Sequence, residues 1–232
     1  VLRRVREQLM LGASQIKLMA GGGVSSPYDP LDVTQYTAAE FRAAVEAAEN
    51  WGTYVAVHAY TPRAIRSAVE AGVRVIEHGQ LADEDTVRLM ARKGTWWSLQ
   101  PFLDDEFANP QKGPARAKQL LVAEGTDRAY RLARRHRVNV AWGTDILFSP
   151  GGTRHQNAHL VKMQRWYTPA EVLQMATSGN ARLLALSGPR NPYPGKLGVV
   201  EEGALADLLL VEGDPLADLA LLADPARNLR VV

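Results

Sequence analysis

The chain has 232 residues, 46% hydrophobic and 22% charged, with 19 glycines, 13 prolines and no cysteine. That is globular composition; it excludes a disordered chain, and the lack of thiols excludes disulfides, zinc fingers and cysteine nucleophiles. With 27 basic and 25 acidic side chains the net charge is +2, nucleic acid is not the default partner, and no apolar run approaches the roughly 20 residues that span a bilayer.

In chain order, VLRRVREQLMLGAS reads as an amphipathic helix and not as a signal peptide. Strand-like apolar runs follow at 15–20 (QIKLMA), 54–59 (YVAVHA), 74–78 (RVIEH), 95–99 (TWWSL) and 139–144 (NVAWGT). Their near-continuous hydrophobicity suits parallel strands covered on both faces. Helices with legible caps lie between them. Thr37-Ala-Ala-Glu40 and Thr168-Pro169-Ala-Glu171 are capping boxes. Thr61 places a capping oxygen before Pro62, and Gly72 stops that helix. A helix from Asp83 to Lys93 ends at Gly94, and a longer one over 116–135 carries a candidate break at Gly125-Thr126. Strands alternating with helices predict an α/β fold with a parallel sheet, wound open or closed into a barrel. After about Ser187 turn residues recur every few positions around one strong strand at 207–211. We therefore expect a barrel portion over 1–187 and a small β appendage over 188–232, with the boundary at Asn191–Gly195.

Four strand candidates end on a residue able to bind a metal: Lys17 before Gly21-Gly22-Gly23, His58 in VAVHA, His78 in VIEHG, and Asp145 after VAWGT. In a parallel α/β barrel the carboxyl ends of the strands converge on the face where active sites sit. One such residue alone is more often structural; four on four strands, all at one end, point to a site. Lys17 adds weight, because an ammonium buried in an apolar strand is costly unless paired or neutralised. His136, in RLARRHR, reads as solvated, and His155 and His159 flank a loop beyond the last strand.

The order Lys17, His58, His78, Asp145 in the contexts IKLMAGGG, VHAY, IEHG and GTD resembles the amidohydrolase superfamily, in its branch of imidazolonepropionase-like and Xaa-Pro or Xaa-basic dipeptidase-like enzymes. The resemblance covers essentially the whole chain. It implies a (β/α)8 TIM-type barrel of which this chain holds about strands 4–8, followed by part of a β-sandwich. It implies that Lys17 is a carbamylated bridge between two divalent metals, most plausibly Zn2+, and that His58 and His78 bind the second of them. Asp145 would bind the first and act as general base, and Tyr60 would help hold a substrate carboxylate, with His155 at the substrate mouth. The expected reaction is hydrolysis of an amide or peptide-like bond in a small carboxylate-bearing molecule.

The strand-1 His-x-His pair of that superfamily has no counterpart here, and five strand candidates stand where a barrel needs eight. We therefore expect the C-terminal portion of a longer enzyme, holding about one metal and hydrolysing poorly alone. An N-terminal barrel segment, another chain or an oligomer would complete it. Two other readings compete: a Schiff-base lyase or aldolase using Lys17 with Gly21–Gly23 cradling a phosphate, and a non-catalytic fragment or half of a split enzyme. A cysteine-free chain suits a cytoplasmic or an exported protein alike. The loops 98–109 and 148–157 are expected to decide the substrate.

Overall fold

A computed structural model describes residues 1–147 and 149–231; Phe148, in the second of those loops, and Val232 lie outside the described residues. Five strands, β1 (Ile16–Met19), β2 (Val55–Ala59), β3 (Val75–His78), β4 (Trp96–Ser98) and β5 (Val140–Ala141), form one parallel sheet in the order β1-β2-β3-β4-β5. Each strand pairs with the next in sequence, with Lys17 opposite Ala56, His58 opposite Glu77 and Ala59 opposite His78. This unreversed order is the winding of a barrel wall, unlike the doubly wound sheet, whose strand order reverses.

The helices are α1 (Leu2–Met10), α2 (Ala38–Asn50), α3 (Pro62–Glu70), α4 (Glu84–Lys93), α5 (Pro114–Arg135), α6 (Gln156–Lys162), α7 (Pro169–Gln174), α8 (Asn180–Leu184) and α9 (Pro225–Asn228). Outward-facing Ile16, Leu18, Val57, Ile76 and Trp97 join Phe41, Ile65, Met90 and Tyr130 from the helices in the main core. Tyr54, Ala56, Val75, Trp96 and Ala141 make a second, smaller cluster, against which Leu183 and Leu186 pack.

Both capping boxes form as expected. Thr61 does not cap: its hydroxyl makes no bond at the start of α3, and Pro62 alone favours that start. Nor is α5 broken at Gly125. The helix runs on, and a Cβ at Gly125 would lie 2.4 Å from the Gln80 carbonyl oxygen, so the glycine serves a close approach of helix to loop. His136 is not solvated either, since its Nε2 lies 2.9 Å from Glu84 Oε1 and ties the end of α5 to the start of α4.

The ladder at β5 is shorter than 139–144, because the backbone of Trp142 turns to another partner. Asn180 Oδ1 accepts from Trp142 N at 3.0 Å, and Asn180 Nδ2 donates to Trp142 O at 2.9 Å. Beyond Arg190, only Leu210–Val211 of the strand read at 207–211 is a ladder (β6), paired antiparallel with β7 (Leu229–Val231). Leu219 and Leu222, between them, are buried in the main core. Among the described residues no helix is long and apolar enough to cross a membrane.

Candidate metal and hydrolytic site

His58 and His78 lie at the carboxyl ends of β2 and β3, Lys17 is the second residue of β1 with Nζ 3.9 Å from Glu77 Oε1, and Asp145, after β5, is close enough to Lys17 and Glu77 to feel both charges. The ring centroids of His58 and His78 are 4.6 Å apart. Tyr60 lies 5.1 Å from each, edge-on to one and stacked on the other, and is itself buried. His78 reaches its place through a left-handed backbone, φ +71°, with Gly79 following at +79°. Asp145 also has a positive φ, +50°. Such conformations are uncommon outside glycine and concentrate at functional sites.

Each imidazole has one nitrogen engaged. His58 Nε2 lies 3.0 Å from the Gly22 carbonyl oxygen, and His78 Nδ1 lies 2.8 Å from Gln100 Oε1. Both neighbours are acceptors, so both nitrogens carry the proton and donate it. Among the described residues His58 Nδ1 and His78 Nε2 have no partner, which leaves their lone pairs free. Burial holds both rings neutral: it lowers His58, with the Lys17 charge adding, and it takes His78 down to about 3, with His58 adding. Neutral imidazoles, each fixed by an outer hydrogen bond, are what a divalent ion requires of histidine ligands.

Lys17 departs from the expectation of a buried ammonium. Its side chain is 45% exposed, with Nζ 3.9 Å from Glu77 Oε1, because alternate residues of β1 face away from the helix layer and are not covered. Asp145 is open to solvent on one side, yet its carboxyl is pushed above the usual carboxylate range, by desolvation first, with Glu77 adding and Lys17 opposing. Among the described residues no three His, Asp or Glu side chains form a ready metal cluster. The donor set that fits a cation is thus the two histidine lone pairs with Lys17 beside them, and Lys17 supplies an anionic ligand only as a carbamate.

The Gly21–Gly23 segment is not an open phosphate cradle. Gly21 N donates to the His58 carbonyl, Gly23 N donates to Asp29 Oδ2, and Gly22 packs where a Cβ would strike the Pro30 carbonyl. His155 lies against Phe107, ring centroids 5.4 Å apart, and does not line the cavity that His159, Tyr60 and Asp145 share. Sequence reasoning missed Gln100 and Glu77. Glu77 was signalled by its place beside His78 in VIEH, whereas Gln100 carries no signal of its own.

The amidohydrolase family profile matches residues 1–232. The chain belongs to the amidohydrolase family. This amidohydrolase is 32% identical over 229 residues to an ochratoxinase of Aspergillus niger, an alignment covering 97% of the chain and 46% of that enzyme. A prolidase solved with N-methylphosphonate-L-proline superposes with a TM-score of 0.88 at 35% identity, over 98% of this chain and 55% of the other. A Xaa-Pro dipeptidase solved with methionine in its active site gives 0.84 at 31% identity, over 98% and 55%. The amidohydrolase chain therefore spans about half the length of the curated relatives it matches.

Proposed function

We propose that this amidohydrolase takes part in metal-dependent hydrolysis of amide or peptide-like bonds in small carboxylate-bearing molecules. The observation that carries the reading is the pair of buried, neutral histidines. Gly22 O and Gln100 Oε1 hold their outer nitrogens, and their inner lone pairs are free within reach of the Lys17 charge. The likeness to an ochratoxinase and to prolidase-like enzymes supports hydrolysis as the reaction class.

In this reading Lys17, as its carbamate, His58 and His78 would hold one divalent ion, zinc, and Asp145 would be one ligand of a second. A bound ion would supply a water of lowered pKa and would polarise the scissile carbonyl. Asp145, exposed beyond the end of β5, would take the proton of the attacking water and pass it to the leaving amine. Tyr60 stays protonated, since burial pushes its hydroxyl up, and donates to a substrate carboxylate. The two imidazoles keep their tautomers throughout, so the ligand lone pairs stay aimed while the proton moves at Asp145.

The test is the metal-to-protein ratio of the purified chain by elemental mass spectrometry, with zinc and bicarbonate supplied and Lys17→Ala alongside. The expected result is about one metal per folded chain, lost in the variant. A folded chain that takes up none overturns the metal-site reading.

A further inference from the structure

A cavity of about 170 Å³ is lined in part by Asp145 and Tyr60 but by none of Lys17, His58 and His78. Val24, Phe102, Leu103, Phe107, Val122 and Ile146 supply most of its apolar wall. An apolar cavity of about 150 Å³ is large enough to bind benzene, so the volume suits one aromatic ring. Two polar groups on α6 share the lining, Lys162 and His159.

The Lys162 side chain is only 9% exposed. Its ammonium lies 2.8 Å from both carboxylate oxygens of Asp105 and 5.1 Å from the centre of the Phe107 ring. An ammonium has three N–H donors, and among the described residues Asp105 is its one hydrogen-bonding partner. His159 is also buried, and its Nδ1 has no hydrogen-bond partner. Burial, with the Lys162 charge adding, holds its ring down to about 4, so it is neutral near pH 7. Asp105 leaves one of the three N–H groups of Lys162 over, and a neutral imidazole whose tautomer no protein partner fixes can donate from Nδ1, so both groups favour a ligand that brings an acceptor. Because Asp105 already balances the charge of Lys162, a neutral oxygen fits better than a second carboxylate.

We propose that this cavity is the specificity pocket of the hydrolytic site, taking an aromatic ring of the amide substrate and binding a neutral acceptor oxygen on that ring through Lys162 and His159. The pocket rests on the hydrolase reading for its purpose but not for its ligand chemistry.

The experiment measures binding of acetamide, benzamide, 4-acetylbenzamide and 4-carboxybenzamide to the full chain by ligand-observed NMR, with a chelator present. Benzamide should bind at least tenfold more tightly than acetamide. The 4-acetyl group should add a further factor of about ten, and the 4-carboxylate should not. The acetyl gain should fall below twofold in Lys162→Met. Should that variant unfold for want of a partner to Asp105, the double variant Lys162→Met/Asp105→Asn, which removes both charges, carries the same expectation. Equal binding of the amides, a carboxylate preferred over the acetyl group, or a gain that survives loss of Lys162 overturns the pocket. Metal uptake and hydrolysis without ring preference would sink the pocket alone. Ring preference in a folded chain that takes up no metal would sink the hydrolase reading instead.

Discussion

The side-chain amide of Gln100 fixes which nitrogen of His78 is free. Its Oε1 accepts from Nδ1 at 2.8 Å and leaves the Nε2 lone pair for a ligand. Outer partners of this kind are worth about 10–100-fold in metal affinity. Gln100→Leu should therefore weaken zinc binding by about that factor, read by competition with a chromophoric chelator, while Gln100→Glu, which keeps an acceptor, should lose less. The depressed pKa of His78 has a consequence for stability in the metal-free chain. The folded value, about 3, lies below the ordinary 6.5, so between them the unfolded chain binds a proton that the folded chain does not. The stabilisation is complete above pH 6.5 and is lost as pH falls through that window, with a slope of up to about 1.4 kcal/mol per pH unit. Urea unfolding from pH 7 to pH 4 should show this slope, and His78→Asn, which tolerates the positive φ, should flatten it. The candidate ligands were legible because each ends a strand in a distinct local context. Gln100 was not, because its role arises from a contact 22 residues away in sequence.

At the scale of the element, α5 shows what local propensity misses. Glycine is a poor helix former, so Gly125 reads as a break; the carbonyl of Gln80 that demands it belongs to the loop after β3. Gly125→Ala gains about 1 kcal/mol in helix propensity but places a methyl against that carbonyl, at a cost of about 1–3 kcal/mol. The expected outcome is a lower urea midpoint with an unchanged m-value. Capping boxes were legible because the signal is complete within four residues, as at Thr37–Glu40 and Thr168–Glu171. The reach of β5 was not, because Asn180 takes over the backbone of Trp142 from 38 residues away.

Across the whole molecule, the segment after Arg190 returns to the core that the sheet and helices build. Leu219 is fully buried there, in the cluster that also holds Leu160 and Met163 of the α6 region. Leu219→Ala should cost about 2–5 kcal/mol and shift the entire thermal transition, with no separate early step. An early, small transition that alone responds to the substitution would contradict this. Lys118, on α5, binds the molecule in another direction. Its ammonium donates to the carbonyl oxygens of Gly23, Ser26 and Asp29 at 3.0, 2.8 and 2.8 Å, all in the loop that follows β1. Since α5 leads into β5, this contact runs like a chord between the two ends of an arc of five strands. The same loop carries the Gly22 carbonyl that orients His58, so one lysine one residue removed from that contact fastens both the ends of the arc and the loop that aims an imidazole.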